Sequence, residues 1–250
     1  MGTRLQDKVV VVTGAAQGIG RAFALRVADE GANVVVADLN FEKATTVADE
    51  IGDAAIPVSV DVSRLESTDT LAALLHDRFG RVDGIINNAA IFSTIQMKPF
   101  WELTVEEWDL LQAVNLRGPF LVIKSLLPLL QESPAASIIN IGSDSVWEGR
   151  GGYLHYTASK AGVQGMTFGL SRELGGFGIR VNAVSPGATQ TEIPRATVSP
   201  EQLRAMIESR ALHRTATPDD LTSLAVFLLS EESGFITGQT ISVNGGKLHR

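Results

Sequence analysis

Residues 8–20, KVVVVTGAAQGIG, join a run of four valines to a turn that carries three glycines. The apolar run is typical of a strand buried on both faces, and residues 21–30 have helical character. Glycines at a strand-to-helix turn let the backbone approach a phosphate, which the first N–H groups of the helix then bind. The stretch therefore predicts a strand–turn–helix unit for a dinucleotide diphosphate. An ordinary structural turn is the alternative for its G-x-x-x-G-x-G spacing alone.

The rest of the chain repeats this alternation of short runs rich in Val and Ile with longer helical segments. The predicted strands are 9–13, 33–38, 56–60, 84–87, 137–141, 180–184 and 240–243. Continuous apolar strands separated by helices indicate a parallel sheet covered on both faces. We therefore predict an α/β protein with a single-domain Rossmann fold over residues 1–250. Its doubly wound sheet has seven parallel strands and helices on both faces.

Several helix starts are marked by capping residues. Ser63-x-x-Glu66 and Thr104-x-x-Glu107 predict capping boxes. Ser199-Pro200 and Thr217-Pro218 each predict an N-cap followed by a proline at the first helical position. One long helix is expected over residues 105–130.

The composition limits the classes of protein. The 250 residues are 44% hydrophobic, and a net charge of −7 with both signs interspersed argues against a nucleic-acid partner. The absence of cysteine excludes disulfides and thiolate chemistry, and the four histidines lack a metal-binding spacing, so no metal is predicted. The apolar run near the N-terminus is too short for a signal sequence or a membrane span. We expect no membrane contact and a cytoplasmic location.

Asp38 ends the second predicted strand, 24 residues after Gly14. A carboxylate at this place can accept hydrogen bonds from both hydroxyls of an adenosine ribose and repels a 2′-phosphate. Gln17 and Leu39 offer no cation for such a phosphate. The position therefore predicts NAD rather than NADP, and an N-cap for the following helix is the alternative role of Asp38.

Other strand ends also carry polar or small residues. Asp61-Val62 follows the third strand, where a carboxylate can meet an adenine amino group. Small residues in 87–90 (Asn-Asn-Ala-Ala) follow the fourth, and hydroxyls in 186–191 (Pro-Gly-Ala-Thr-Gln-Thr) follow the sixth. Ligands of open α/β sheets bind outside these carboxyl ends. We expect these residues to share one binding cleft.

Tyr156 and Lys160 stand four residues apart, on one face of a predicted helix. An ammonium beside a phenol favours the phenolate and brings the phenol pKa toward the working range of an acid–base catalyst. Ser143 follows the fifth strand and can hydrogen-bond the same substrate oxygen. Taken alone, a Tyr–Lys pair at this spacing is more often a surface contact.

The motifs occur together in a specific order: TGAAQGIG at 13–20, NNAA at 87–90, Asn115, Ser143, YTASK at 156–160, PGATQT at 186–191 and FITGQTISVNGG at 235–246. In this set the chain resembles the classical short-chain dehydrogenase/reductase family over nearly all of its length. The resemblance implies hydride transfer between a nicotinamide and a carbinol or carbonyl carbon. Ala90 departs from it, because the family usually has glycine there, and we expect a modest adjustment.

The resemblance also implies roles for single residues. Tyr156 is the general acid–base, Ser143 orients the substrate oxygen, Lys160 lowers the tyrosine pKa and binds the nicotinamide ribose, and Asn115 holds a water of the proton relay. The predicted NAD(H) contacts are Gly14, Gln17, Gly18, Ile19, Gly20, Asp38, Leu39, Asp61, Val62, Asn88, Ala89, Ala90, Tyr156, Lys160, Pro186, Gly187, Thr189 and Thr191.

Substrate choice is expected to lie in a lid, residues 188–212, with a helix near 199–210. The candidate substrate contacts are Ser143, Val146, Trp147, Tyr153 and Gln190, with Ile91, Phe92, Leu154 and Ile193 nearby. Most are apolar or aromatic, which favours a hydrophobic, cyclic or aromatic secondary alcohol or its ketone. Asp144 and Arg195 could recognise a polar group, but solvent exposure is the expectation for both.

Two alternative functions stay open. An NADPH-linked 3-oxoacyl thioester reductase acting on acyl-carrier protein or coenzyme A would share the catalytic residues, although Asp38 argues against it. A non-catalytic dinucleotide sensor would share the fold. The resemblance further implies a homotetramer, with the small residues of 158–165 and Gly169 allowing close helix packing between subunits.

Overall fold

The computed structural model describes residues 3–193 and 200–249. Its seven strands form one parallel sheet in the order β3-β2-β1-β4-β5-β6-β7. The strands are β1 Val9–Thr13, β2 Asn33–Asp38, β3 Ala55–Ser59, β4 Gly84–Asn87, β5 Ser137–Ile141, β6 Arg180–Pro186 and β7 Thr240–Val243. The predicted doubly wound sheet is confirmed.

Helices follow nearly every strand. They are α1 Gly18–Asp29, α2 Phe41–Ile51, α3 Leu65–Phe79, α4 Val105–Gln112, α5 Gly118–Gln131, α6 Ser145–Glu148, α7 Leu154–Leu174, α8 Pro200–Glu208 and α9 Asp219–Leu229. A π-helical turn, Ala113–Arg117, joins α4 to α5. Short 3₁₀ turns lie at Phe100–Glu102, Gly175–Phe177 and Glu231–Ser233.

The two faces of the sheet bury separate clusters of apolar side chains. Alternate valines of β1 supply both, because successive side chains of a strand point to opposite faces. Val10 and Val12 pack with α1 and α9, whereas Val9 and Val11 pack with α3 and α5. All five residues of β1 are buried, which explains why this strand is a continuous apolar run.

The strand order reverses between β2-β1 and β4, so a crevice opens beyond the carboxyl ends of β1 and β4. Successive right-handed crossovers place helices on opposite faces on the two sides of this point. The glycine turn after β1 and the segment after β4 meet there.

Element boundaries differ from the sequence prediction in a few places. α1 begins at Gly18 rather than at residue 21, so the last two glycines of the turn belong to its first turn. β3 starts one residue earlier than predicted, where Ala55 pairs with Val34. β6 continues to Pro186, because the edge strand β7 extends its ladder.

The predicted capping residues have mixed outcomes. The Thr104–Glu107 capping box is present, with both reciprocal hydrogen bonds. The box at Ser63 is wrong: α3 begins after Arg64 without a side-chain cap, and the Ser63 hydroxyl donates to Asp61 at 2.6 Å instead. The Ser63 N–H also donates to Asp61, so Ser63 belongs to a turn closed by that carboxylate rather than to the helix end.

The start of α9 is displaced by one residue from the prediction. Asp219 is its first residue, and the backbone N–H of Thr217 donates to the Asp220 carboxylate at 2.9 Å. The predicted cap Ser199 lies outside the described residues, as does Arg195. The helix that was expected there begins at Pro200.

The predicted continuous helix over 105–130 is interrupted by the π turn. In the part of the chain that the structure describes, Val105–Gln131 is also the one stretch with the length and mean hydropathy, 1.3, to cross a membrane. Half of it is buried inside the fold, with α5 packed on α3. Its apolar character follows from this packing.

Candidate active site

A cavity of about 540 Å³ lies in the crevice beyond the carboxyl ends of the strands. This volume falls within the range of small-molecule and cofactor sites. All eighteen positions predicted to contact the cofactor line this cavity, with Tyr156 and Lys160 at its inner end.

 Among them, Gly20 has no room for a side chain, because a Cβ there would lie 2.0 Å from the carbonyl oxygen of Gly14.

The glycine turn is held against the segment that follows β4. The Asn88 side chain donates to the carbonyl oxygens of Thr13 and Gly14, each at 3.0 Å. Gly14 has a φ of +63°, and a Cβ on it would lie 2.7 Å from the Cα of Ala89. Glycine is therefore required at Gly14 both for its left-handed backbone and for this close approach.

The first N–H of α1 already binds an anionic group. Gly18, with a φ of +59°, donates its N–H to the Glu192 carboxylate at 2.7 Å. Glu192 lies on the segment after β6, far away in sequence. A carboxylate at a helix N-terminus occupies the kind of place that a phosphate takes. The turn therefore fits a dinucleotide diphosphate, because it lines the cavity and its backbone N–H binds an anion.

The carboxylate of Asp38 is held by backbone donors at the end of β2. It accepts hydrogen bonds from the N–H groups of Ala16, at 3.0 Å, and Asn40, at 2.9 Å. Asp38 does not cap α2, since the Asn40 side chain accepts from Lys43 instead. The ordered carboxylate borders the cavity, in the position expected for contact with a ribose.

Two cations lie near this end of the cavity, and both have partners. Lys43 donates to the side-chain oxygen of Gln17 at 3.0 Å, and Arg21 pairs with Glu50 at 2.6 Å. Lys43 was missed by sequence reasoning because its contact spans the α1–α2 interface. Neither cation lines the cavity.

The third and fourth strands supply further lining. Asp61 accepts hydrogen bonds from the Ser63 N–H and hydroxyl, which hold its carboxylate beside Val62. Ala90 is exposed to the cavity, and its φ is not positive. The alanine therefore adds no backbone strain where the family usually has glycine, and the expected modest adjustment of cofactor binding stays a prediction.

Ser143, Tyr156 and Lys160 lie at the inner end of the same cavity. Ser143 comes just after β5, and its oxygen accepts the Ser145 N–H at 3.2 Å. Tyr156 and Lys160 face the cavity from the first turns of α7, and the Lys160 Nζ lies 5.9 Å from the centre of the Tyr156 ring. The structure thus brings the predicted hydroxyl, phenol and ammonium into one site.

Lys160 is almost completely buried, with 3% of its surface exposed. Its Nζ donates to the carbonyl oxygen of Ile141 at 2.8 Å. Loss of solvation disfavours the ammonium and lowers the pKa of Lys160 to about 8. The group remains mostly charged at neutral pH.

Asn115 lies in the π turn and is fully buried. Its side-chain oxygen accepts the Ile91 N–H at 2.8 Å, and its amide donates to the Ile91 carbonyl at 3.1 Å. These paired bonds fasten the segment after β4 to the α4–α5 helix. The side chain lies behind the cavity lining, so the water-holding role stays a prediction.

The segment after β6 forms the side of the cavity that was predicted as a lid. Pro186, Gly187, Thr189, Thr191 and Ile193 all line it. Thr189 is buried, with its hydroxyl donating to the Gly187 carbonyl at 3.1 Å. Met206 of α8 closes the same side.

Three predicted substrate contacts, Val146, Trp147 and Gln190, do not line the cavity. In α6 the lining positions are Ser145 and Glu148, one helical turn apart, so the two residues between them point elsewhere. Gln190 is exposed and stands between lining residues of an extended segment, where side chains alternate. Among the other candidates, Leu154 also lies outside the lining, whereas Ser143 and Tyr153 belong to it.

The structure corrects the expectation for Asp144. The residue is 1% exposed, and its carboxylate accepts hydrogen bonds from Ser242 at 2.8 Å and Asn244 at 2.6 Å. Partners about a hundred residues away in sequence cover it, so no local pattern reveals its burial. The bonds tie the turn after Ser143 to the C-terminal segment.

Sequence reasoning also missed three charged residues in the lining: Glu148, Arg150 and Lys247. Lys247 pairs with Glu148 at 2.8 Å. Arg150 lies over the ring of Tyr153, with 5.4 Å from its Cζ to the ring centre. The position of Arg150 three residues before Tyr153 is a signal that could have indicated it, whereas Lys247 offers none.

A family model described as enoyl-(acyl carrier protein) reductase matches residues 14–247 of the chain. Among curated relatives, galactitol 2-dehydrogenase of Agrobacterium fabrum is 37% identical, covering 97% of this chain and 98% of the relative. The 3-oxoacyl-[acyl-carrier-protein] reductase of Thermotoga maritima is also 37% identical, with the same coverage.

Solved structures agree with this likeness. The crystal structure of a 3-ketoacyl-(acyl-carrier-protein) reductase from Brucella melitensis, complexed with NADH, has a TM-score of 0.90 and 34% identity. The match covers 97% of this chain and 99% of that structure. The likeness therefore extends over nearly the whole fold.

Proposed function

Because this chain belongs to the classical short-chain dehydrogenase/reductase family of oxidoreductases, which act on CH–OH groups, we propose that it interconverts a secondary alcohol and its ketone with NAD(H). The observation that carries the proposal is the meeting of Ser143, Tyr156 and Lys160 at the inner end of one cavity. The other end of that cavity presents the glycine turn and Asp38. Cofactor and substrate groups thus have separate places in one crevice.

The proton chemistry rests on the residues of this chain. Tyr156 accepts the proton of the substrate hydroxyl during oxidation and returns it during reduction. Ser143 donates a hydrogen bond to the same oxygen and fixes its position. Lys160 holds a positive charge 5.9 Å from the phenol ring, which favours the phenolate that takes the proton. The bound nicotinamide supplies the hydride acceptor.

The NAD preference rests on Asp38. Its carboxylate is fixed by two backbone N–H groups beside the cavity, so it cannot easily turn away from a 2′-phosphate. Repulsion of about 3 kcal/mol corresponds to roughly 100-fold weaker binding of the phosphorylated cofactor. The other proposed contacts extend from the glycine turn to Thr189 and Thr191.

The substrate part of the cavity favours a molecule with an apolar or aromatic body. Ile91, Phe92, Tyr153 and Met206 line it. Phe92 stacks on Tyr156 with 4.6 Å between the ring centres, so an apolar wall reaches the reacting position. We propose a cyclic or aromatic secondary alcohol as the substrate, and residues 188–212 as the segment that covers it.

Reduction of a 3-oxoacyl thioester with NADPH is the second candidate function. It is supported by the 37% identity to the Thermotoga maritima reductase, which equals the identity to galactitol 2-dehydrogenase. The position of Asp38 favours the NAD-dependent reaction. A non-catalytic sensor is the weaker alternative, because such a protein does not need the hydroxyl, phenol and ammonium together.

Turnover with a panel of secondary alcohols tests the proposed function. We expect reduction of NAD⁺, followed by NADH absorbance, with a cyclic or aryl alcohol and at least about 100-fold lower kcat/KM with NADP⁺. Tyr156→Phe keeps the ring but removes the proton carrier, so its rate should fall by about 10²–10⁴. Its NADH affinity should stay near that of the unmodified protein.

Two outcomes would contradict the proposal. Near-normal turnover by Tyr156→Phe would remove Tyr156 from the reaction. NADH binding without turnover of any alcohol, ketone or 3-oxoacyl thioester would favour the sensor. Preference for NADPH together with thioester reduction would establish the second candidate.

A further inference from the structure

The cavity contains a guanidinium group that the proposed reaction does not use. Arg150 is half-buried in the lining, in the turn between α6 and α7. Among residues 3–193 and 200–249 it forms no ion pair or hydrogen bond, and its one contact of this kind is with the Tyr153 ring. A cation that lines a binding cavity without a carboxylate partner is available to a ligand.

From this geometry we propose that Arg150 binds a carboxylate on the substrate, so that the enzyme acts on a hydroxy acid and the matching keto acid. The inference rests on the proposed oxidoreductase function and names its substrate class. It adds an anionic group to the apolar body that the cavity favours.

A row of aromatic rings connects Arg150 to the reacting position. Arg150 lies over Tyr153, whose ring centre is 6.2 Å from that of Phe92. Phe92 in turn lies 4.6 Å from Tyr156. Tyr153 and Tyr156 are both less than 10% exposed, so the row is a fixed wall. A substrate lying along this wall would meet the phenol at one end and the guanidinium at the other.

The other charged side chains near Arg150 already have partners, so Arg150 is the group that can select a ligand. Glu148 and Lys247 neutralise each other at 2.8 Å. The carboxylate of Asp144 is engaged by Ser242 and Asn244. The charges of Asp144, Glu148, Arg150 and Lys247 balance, but Arg150 is the one of the four with no hydrogen-bond or ion-pair partner among the described residues, so it is the group with which an anionic ligand can pair.

The chemistry of arginine fits a carboxylate in particular. Its planar group presents parallel N–H donors that match the two carboxylate oxygens. Arg150 is half-buried over the Tyr153 ring, and partial removal from water strengthens charge-assisted hydrogen bonds. A neutral substrate filling the same cavity would desolvate the guanidinium without pairing it.

Matched substrates test the proposal. The probes are aryl secondary alcohols whose carboxylate stands at increasing distance from the carbinol carbon, each compared with its primary amide. For the best member we expect kcat/KM of the acid to exceed that of the amide by about 10- to 100-fold. Arg150→Met should abolish this ratio, and Arg150→Lys should keep part of it.

The chain offers a matched control. Arg78 lies over the ring of Phe79 at 5.6 Å and is exposed, remote from the cavity. Arg78→Met should leave the acid-to-amide ratio unchanged. Thermal unfolding and NADH affinity of Arg150→Met, both close to normal, would show that the variant folds.

A second readout separates this inference from the proposed function. Binding of the acids and amides to the complex with NADH, followed by calorimetry, needs no turnover. Acid binding that is lost in Arg150→Met supports the inference even if no probe is oxidised. An acid-to-amide ratio that Arg150→Met leaves unchanged overturns it while Tyr156→Phe still tests the reaction.

The anion could also be a phosphate, and one comparison distinguishes this source. A coenzyme A thioester and its truncated cysteamine thioester differ in their phosphates. An Arg150-dependent preference for the full thioester, without one for the acids, would overturn the assignment of a carboxylate.

Discussion

Lys160 shows how one buried residue links the site to the stability of the fold. Its ammonium donates to the Ile141 carbonyl, and burial lowers the pKa of Lys160 from 10.5 to about 8. Below pH 8 the folded protein carries the charge at a desolvation cost. Above pH 10.5 both the folded and the unfolded chain are neutral at this group, so the cost disappears.

The stability of the protein should therefore depend on pH through Lys160. Between about pH 8 and pH 10.5 the unfolded chain binds more protons at this residue, so its contribution to the free energy of unfolding rises with pH. Lys160→Met removes the ionisable group, so the free energy of unfolding of the unmodified protein should rise relative to that of the variant by on the order of 3 kcal/mol over this window. Urea unfolding at several pH values measures it.

Lys124 provides the control for this measurement. It is an exposed lysine on α5, so Lys124→Met should differ from the unmodified protein by a constant amount across the same pH range. A flat difference for Lys160→Met as well would contradict the depressed pKa.

At the scale of elements, the N-terminus of α1 binds one anionic group in the structure and is proposed to bind a second. Its Gly18 N–H binds the Glu192 carboxylate, and the proposed function places a cofactor phosphate at the same end. The two anions cannot both take this donor. Binding of the cofactor must therefore displace Glu192 and move the segment that carries it.

Removing this carboxylate should strengthen cofactor binding. Glu192→Gln loses the charge, and we expect about 3- to 30-fold tighter NADH binding, because a charge-assisted hydrogen bond no longer competes and a negative neighbour of the phosphate is gone. Titration of NADH fluorescence measures the Kd. Glu208→Gln, an exposed position on α8, is the control and should leave the Kd unchanged.

An unchanged or weaker affinity of Glu192→Gln would show that Glu192 does not compete with the cofactor. It would then act as part of the site, for example by holding the segment after β6 in place.

The π turn is a second feature at the scale of elements. A sequence of helical period predicts one helix, but the structure inserts a wider turn at Ala113–Arg117. Such turns are frequent at functional sites. Here the turn carries Asn115, whose amide pairs with both backbone groups of Ile91.

At the scale of the whole molecule, one face stays apolar and exposed. Leu110 of α4, Phe120 of α5 and Met166 of α7 line one open pocket, and Leu110 and Phe120 are 59% and 47% exposed. Gly165 and Gly169 lie on the same helix as Met166, and a Cβ on either would meet nothing within 4 Å. A patch of this kind marks an interaction surface. The family resemblance makes a second copy of the chain the expected partner.

We expect a homotetramer in solution, with four times the 26.6-kDa mass of the chain. Gly165→Arg should lower this mass, because the new side chain projects into the expected contact while meeting nothing within its own subunit. Gly176→Arg, equally open but on the turn after α7, should leave the mass unchanged. Multi-angle light scattering measures it, and a monomeric mass for the unmodified protein would end the hypothesis.

Much of the fold could be predicted from local patterns. The four valines of β1, the glycine turn and the Thr104 capping box depend on residues within a few positions of each other, and each has its predicted structure. The predicted Ser63 cap is wrong because α3 begins one residue later, after Arg64, and Ser63 instead donates its N–H and hydroxyl to Asp61. This shift is local too, but the sequence pattern does not say at which residue the helix begins.

Part of the site, likewise, could be predicted from the sequence, and the rest depends on the tertiary structure. Parallel strands bring their carboxyl ends to one edge, so the motifs at Gly14, Asp38, Asn88, Ser143 and Pro186 could be expected to meet. Glu148 lines the cavity and Val146 and Trp147 do not, because of how the four-residue helix α6 turns its side chains. Arg150 and Lys247 lie outside this helix and reach the lining only through the tertiary structure.

By itself the sequence determined the alternation of strands and helices, the parallel sheet and the order of the motifs along the chain, because these follow from periodicity and turn chemistry between near neighbours. The tertiary structure alone decided which distant groups meet. Glu192 binds Gly18 across 174 residues, and Asn244 covers Asp144 across 100. Such contacts depend on the packing of whole elements, which brings together side chains that no local pattern connects.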